Sequence, residues 1–141
     1  MKLHGFALVA LLAVFMVGDS VAQTIRMKAA VPFEFIVNGS TLPAGQYTIQ
    51  SFGTADGRTL LVRNTDADQK ATINGIGMES LNAVKETKLV FHRYGNRYFL
   101  AQVWIAGSQG GQEFPRSHRE SELAKDYSNT PQEVDVVAAL R

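Results

Sequence analysis

The stretch that decides the fold is residues 88–105, which read KLVFHRYGNRYFLAQVWI. Apolar residues alternate with polar ones on both sides of the central Gly95-Asn96 pair. Alternation with a period of two is typical of a strand with one buried face. A Gly-Asn pair between two such runs is typical of a two-residue hairpin turn. The stretch therefore predicts an antiparallel hairpin with strands over 88–94 and 97–105.

Short alternating runs also lie on both sides of this hairpin. The further predicted strands cover residues 24–31, 33–37, 46–51, 59–64, 70–78 and 133–140. Turn residues separate several of them, at Asn38-Gly39, at 42–45 (LPAG) and at Asp56-Gly57. Gly75 and Gly77 interrupt the run 70–78 and indicate a bulge or a close backbone approach. About eight short strands predict an all-β fold, an antiparallel sandwich or a small barrel.

The end of the chain has a different character. Residues 106–115 are rich in glycine and predict a flexible loop. Residues 117–126 predict one short C-terminal helix, in which Ser117 caps the start and Glu120 completes a capping box. Its apolar residues are only Leu123 and Ala124, so we expect the helix to lie on the surface.

The two terminal strands are expected to pair and to close the sheet. The run 24–31 places Arg26 and Lys28 on its outward face, and the run 133–140 places Glu133 and Asp135 there. Opposite charges on facing strands stabilise a pair, and pairing removes two exposed edges. The alternatives are two independent edge strands, or a strand donated to a neighbouring molecule.

The first 22 residues predict a cleavable signal peptide. A basic start precedes an apolar run of twelve residues, and Ser20-Val21-Ala22 supplies the small residues that a signal peptidase requires. The run spans only about 18 Å as a helix, less than the ~30 Å of a bilayer core. We therefore expect an exported protein, periplasmic or extracellular, with no membrane span in the mature chain. Residues 23–141 are then a single β-rich domain.

Composition and residue content exclude several function classes. Fourteen Lys and Arg against thirteen Asp and Glu give a net charge of +1, too balanced for a nucleic-acid binder. The chain has no cysteine, so neither disulfides nor a catalytic thiol is available. His92 and His118 are the histidines of the mature chain, too few for a three-ligand catalytic zinc site. We expect no cofactor and no metal, and a packed structural role for His92 opposite Phe99.

The hairpin carries the most unusual local pattern. Its turn pairs Tyr94 with Arg97 and Arg93 with Tyr98, so that each guanidinium lies beside an aromatic ring, a cation–π geometry. One interpretation is a tip that grips sugars, aromatic compounds or an anionic surface. The other is a hairpin that these pairs merely stabilise, with Trp104 in the core behind it. The candidate binding residues are Arg93, Tyr94, Arg97, Tyr98 and Trp104.

The predicted function is that of an exported, small, non-enzymatic β-domain, a binding or structural module with a small ligand or a cell-surface partner. The alternative is a lipocalin-like barrel around a small apolar ligand. Its cavity would be lined by Phe33, Phe35, Phe91, Phe99 and Trp104.

Four segments carry a family resemblance. They are 31–35 (VPFEF), 42–47 (LPAGQY), 88–98 (KLVFHRYGNRY) and 113–125 (EFPRSHRESELAK). With these segments the chain resembles an uncharacterised group of small secreted proteins abundant in Acidobacteria. The resemblance implies export and a common fold, and it implies no site.

Overall fold

The computed structural model describes residues 25–52 and 58–140. The predicted signal peptide and the predicted Asp56-Gly57 turn lie outside these ranges. Within them the chain forms eleven strands and one helix. The strands are β1 (Arg26–Val31), β2 (Phe35–Val37), β3 (Ser40–Leu42), β4 (Gly45–Ser51), β5 (Thr59–Asn64), β6 (Lys70–Asn74), β7 (Ile76–Glu79), β8 (Lys88–Tyr94), β9 (Arg97–Trp104), β10 (Gly110–Glu113) and β11 (Gln132–Leu140), and the helix is α1 (His118–Lys125).

All the strands belong to one sheet that curves into a nearly closed barrel. Its main path runs β3-β2-β9-β8-β11-β1-β4-β5-β6, and every pair in it is antiparallel except β2 with β9. β10 pairs with β9 and with β7, and β7 continues β6 after Gly75. The pairings therefore run from β9 through β8 to β6, and they return to β9 through β7 and β10. The all-β prediction is confirmed, and the choice between a sandwich and a barrel falls on the barrel.

Gly75 is the point at which the strand changes partners. A Cβ atom at this position would lie 2.5 Å from Oε1 of Gln112 and 3.2 Å from the Phe114 ring. These two side chains can approach the Gly75 backbone this closely only because glycine has no side chain. The predicted close approach is present at Gly75, where the predicted strand 70–78 divides into β6 and β7, whereas a Cβ atom at Gly77 would meet nothing within 4 Å.

The first and last strands pair as predicted, but the predicted charge partners are wrong. Lys28 of β1 lies opposite Ala139 of β11. Residues 138–140 of β11 pair with β1 on one edge of the strand, and residues 132–137 pair with β8 on the other edge. Asp135 therefore forms its ion pair with Lys88 of β8, at 3.0 Å between Nζ and Oδ2.

The predicted flexible loop over 106–115 is also wrong in part, because it contains β10. Gly111 lies under the Trp104 ring, and a Cβ atom there would come within 2.5 Å of Cε3. Glycine in this segment therefore permits an aromatic ring to pack on a strand. Glycine-rich composition alone does not separate that use from loop flexibility.

Apolar side chains fill the barrel interior. Phe35 lies 4.9 Å from the Tyr47 ring and 5.3 Å from the Phe91 ring, in edge-to-face contacts. The Tyr47 hydroxyl donates to the Pro43 carbonyl, which satisfies a buried polar group. The other large side chains of this core with less than 2% exposure are Met27, Ile49, Leu60, Leu89, Val31, Val37, Val62 and Val103.

The helix α1 packs against the outer side of the β8–β9 hairpin. Ala124 of the helix is fully buried with Tyr94, Phe99 and Ile36 in a second apolar cluster. The predicted N-cap is confirmed, since the Ser117 Oγ accepts from the Glu120 backbone N–H at 3.1 Å. The predicted surface helix thus has one exposed face and one packed face, and the packed face positions the site described next.

Candidate functional site

The β8–β9 hairpin has the predicted register. Tyr94 pairs with Arg97, Arg93 pairs with Tyr98, and His92 pairs with Phe99. Gly95 has a φ of 65° at the first turn position, which a type II′ turn requires and which glycine adopts at little cost. The turn chemistry of the sequence therefore determines which side chains meet at the tip.

Arg93 and Tyr98 form one of the two predicted cation–π pairs, whereas within the described residues Arg97 makes no such contact with Tyr94, which is buried under α1. The Arg93 Cζ atom lies 5.4 Å from the centre of the Tyr98 ring. Phe33 stacks on the same ring, with 3.8 Å between ring centres and 14° between the planes. Arg93 also donates from Nε to the Gly95 carbonyl at 2.6 Å. These contacts hold Tyr98 in place, and it stays half-exposed at the tip.

Two of the predicted binding residues lie away from this surface. Tyr94 is 1% exposed and points under α1. Trp104 is opposite Lys88 at the far end of β9, roughly 23 Å from Arg97 along the strand. Its indole N–H donates to Gln102 at 2.9 Å. The structure therefore joins Arg93 to Tyr98 and leaves Tyr94 buried and Trp104 remote.

A cleft of about 220 Å³ lies beside the hairpin tip, and we call it the basic cleft. Arg97 comes from the hairpin and Arg119 from the first turn of α1, and both are exposed. The other lining side chains are Glu34, Phe35, Ile36, Thr41, Asn96 and Tyr98. Sequence analysis missed Arg119, because nothing local links it to a hairpin more than twenty residues earlier.

A buried carboxylate lies behind this cleft. Glu120 is 5% exposed, and its Oε2 atom accepts a hydrogen bond from the Tyr94 hydroxyl at 2.9 Å. The same oxygen lies 3.5 Å from His92 Nδ1 and 3.7 Å from Arg116 Nε. A buried charge is tolerated when it has such partners. We call these four residues the Glu120 cluster.

The cluster also explains why the Tyr94 phenol is protonated. Burial, reinforced by the hydrogen bond to Glu120, raises the pKa of Tyr94 to about 12, so this phenol stays protonated and donates. Within the described residues, His92 Nδ1 is buried and has no hydrogen-bond partner. Sequence analysis assigned Glu120 to the capping box. Its carboxylate reaches Tyr94 instead, because α1 lies over the hairpin.

The Glu120 cluster positions the two arginines of the basic cleft. Arg119 precedes Glu120 on α1, and Arg97 lies directly opposite Tyr94 in the hairpin. The Tyr94–Glu120 hydrogen bond therefore joins the two elements that carry the guanidinium groups. This hydrogen bond fixes the positions of the two backbone segments from which the arginine side chains extend into the cleft.

A second cleft, of about 190 Å³, lies beside β9, where the neighbouring strand changes from β2 to β10. We call it the seam cleft. It is bordered by the β2–β3 turn, by the end of β6 and by Ser117 and Glu120. Ile36 lines both clefts, so they adjoin.

The five aromatic rings proposed for a lipocalin-like cavity do not line one space. Phe33 and Phe91 contact each other at 4.9 Å in the core, and Phe35 packs on Phe91. Phe99 belongs to the cluster under α1, and Trp104 packs on the backbone of β10. The rings are divided because successive strand residues point to opposite sides of the sheet.

The described acidic and histidine side chains and the comparisons add no further site. Among residues 25–52 and 58–140, no three His, Cys, Asp or Glu side chains are grouped to hold a metal ion. No helix in the described part of the chain is long and apolar enough to cross a membrane. No protein-family model, curated protein or solved structure matches the chain.

Proposed function

We propose that this protein is an exported, non-enzymatic binding module that holds a carboxylate-bearing sugar in the basic cleft. The observation that carries the proposal is the convergence of Arg97 and Arg119, from separate elements, on a cleft that Tyr98 also lines. Export, to the periplasm or the cell exterior, is inferred from residues 1–22 and from the family resemblance.

The side chains that line the basic cleft are suited to binding an acidic, hydroxylated ligand. A guanidinium binds a carboxylate through two parallel hydrogen bonds, which suits an acidic ligand. Asn96 and Thr41 offer neutral donors and acceptors, and the Glu34 carboxylate accepts hydrogen bonds from hydroxyl groups. A ligand that carries one carboxylate and several hydroxyls matches this set. Acidic sugars have that composition.

The size of the cleft agrees with a single sugar unit. Its 220 Å³ is below the roughly 300–1,000 Å³ of pockets that enclose drug-sized molecules. The cleft is also open, with both arginines exposed. An open cleft that holds one unit suits a polymer that continues on both sides, such as an acidic polysaccharide of a cell surface.

The test is a calorimetric titration of the purified protein with a β-linked oligoglucuronate and with the neutral oligoglucoside of the same length. We expect binding of the acidic chain alone. Arg97→Gln and Arg119→Gln should each weaken it about 10- to 100-fold, as loss of a charged hydrogen bond does. Arg63→Gln, an equal change of charge at an exposed position of β5, is the matched control.

Two outcomes would contradict the proposal. If Arg63→Gln weakens binding as much as Arg97→Gln, the attraction is a general effect of net charge and not a site. If mass spectrometry shows that the oligoglucuronate becomes shorter during incubation, the protein is an enzyme, and the proposal of a non-enzymatic module is wrong.

A further inference from the structure

We infer that the seam cleft is a second sugar subsite, which takes a neutral, hydroxylated ring next to the acidic unit. The inference rests on the proposed function of the basic cleft and extends it from one unit to a disaccharide. It starts from the position of the seam cleft. Phe99 of β9 pairs with Ile36 of β2, whereas Gln102 already pairs with Glu113 of β10. Leu100, between these pairs, lines the cleft.

The Asn38 and Asn74 side chains of the seam cleft each make one hydrogen bond and have capacity for another. The Asn38 amide N–H donates to the Thr72 carbonyl at 3.1 Å, and the Asn74 side-chain oxygen accepts from Thr59 at 2.7 Å. Asn38 therefore retains acceptor capacity at Oδ1, and Asn74 retains donor capacity at its amide nitrogen.

The start of α1 adds two more groups, Ser117 and Glu120, that have capacity for a further hydrogen bond. The Ser117 oxygen accepts from the Glu120 backbone, which leaves its hydroxyl hydrogen for another acceptor. The three contacts of the Glu120 carboxylate to Tyr94, His92 and Arg116 all involve Oε2. Oε1 is therefore the oxygen of this carboxylate with capacity for a donor. The seam cleft thus presents two donors and two acceptors.

Apolar residues form the rest of the lining. They are Ile36, Ile73, Phe99, Leu100 and Pro115. A surface with both hydrogen-bonding and apolar groups complements the hydroxyl groups and C–H faces of a sugar ring. A charged ligand fits less well, because the Glu120 charge already faces Arg116 and the other polar groups are neutral. The volume of about 190 Å³ is again that of one ring and not of a larger ligand.

The two clefts are arranged for consecutive units of one chain. They share Ile36, and the consecutive residues Arg119 and Glu120 line one cleft each. An acidic unit on Arg119 would place its neighbour in the chain beside Glu120. The structure therefore assigns the ligand to a polymer in which a uronic acid is linked to a neutral sugar.

The experiment compares three probes: glucuronic acid, methyl β-galactoside and the disaccharide glucuronosyl-galactose. Affinities are measured by calorimetry, and the site is located by changes in backbone amide chemical shifts. We expect the disaccharide to bind about three- to tenfold more tightly than glucuronic acid, as one or two neutral hydrogen bonds provide. Methyl β-galactoside should shift the amides of Asn74 and Leu100.

Asn74→Leu is the diagnostic variant, because it removes the amide and keeps a side chain of similar size. It should reduce the disaccharide affinity to that of glucuronic acid and leave the affinity for glucuronic acid unchanged. Asn82→Leu, on the exposed segment after β7, is the control and should bind like the wild type.

Failure of this inference is distinct from failure of the proposed function. If glucuronic acid binds but the disaccharide binds no more tightly, or if Asn74→Leu changes nothing, the seam cleft is not a subsite. If glucuronic acid does not bind, the basic cleft is not the site that we propose. Shifts at Asn74 with methyl β-galactoside would then still support a sugar site in the seam cleft, and their absence would overturn it.

Discussion

Tyr94→Phe removes one hydroxyl from the Glu120 cluster and tests whether this buried hydrogen bond holds α1 on the barrel. The Tyr94 side chain is 1% exposed and Glu120 is 5% exposed, so the hydrogen bond that is lost lies away from bulk water. A hydrogen bond to a charged group contributes about 1.5–3 kcal/mol. Because Arg116 and His92 still face the carboxylate, we expect a loss of about 2 kcal/mol in the free energy of unfolding.

The assay is urea denaturation followed by circular dichroism, with Tyr98→Phe as the control in the same hairpin. Tyr98 is half-exposed, so loss of its hydroxyl should change stability by less than about 0.5 kcal/mol. Glu120→Gln completes a double-mutant cycle, which should give a coupling energy of at least about 1 kcal/mol between Tyr94 and Glu120. Equal stability of the two phenylalanine variants, or a coupling near zero, would refute the reasoning.

The pH dependence of the same variant gives an independent measurement. The folded protein raises the pKa of Tyr94 from 10.0 to about 12. The neutral phenol is therefore favoured in the folded state, and its contribution is fully present below pH 10 and is lost as the pH rises through 12. The stability difference between wild type and Tyr94→Phe should shrink over that interval. A constant difference would mean that Tyr94 titrates equally in the folded and unfolded chains.

Three further predictions concern the turn, the sheet and export. Gly95→Val should lower the free energy of unfolding by more than about 1–2 kcal/mol because of the positive φ, whereas Asn96→Gly should be mild, and equal tolerance in urea denaturation would place the turn elsewhere. Asp135→Lys should cost about 0.2–1 kcal/mol, and the further change Lys88→Asp should recover most of it, unless the pair at 3.0 Å contributes nothing. Sequencing of the exported protein should begin at Gln23, and an intact mass that includes residues 1–22 would contradict cleavage.

Much of the barrel was predictable because its determinants are local. The alternation of residues 88–94 and 97–104 and the Gly-Asn turn predict both the hairpin and its register, as observed. Asn38-Gly39 likewise forms a turn, with φ values of 47° and 80°. Side-chain direction in a strand and positive φ at a turn depend on the residue and its immediate neighbours.

The sequence predicted the roles of one glycine segment and of one set of charged residues wrongly. Gly111 looked like part of a flexible loop, and it is the residue on which Trp104 packs. Asp135 was expected to face β1, and it pairs with Lys88 of β8. A glycine serves a mobile loop and a close contact equally well, and a charged residue on an outward face accepts any neighbour of opposite sign. Only the neighbouring strand distinguishes these cases.

The sequence by itself determined most of the strand content, the hairpin register and the N-cap at Ser117. Tertiary structure alone decided that Arg119 meets Arg97 and that Glu120 is buried against Tyr94. The physical reason is the range of the interactions. Periodicity, turns and caps act over a few residues, whereas a site built from α1 and a hairpin more than twenty residues away exists only once the helix has packed on the barrel.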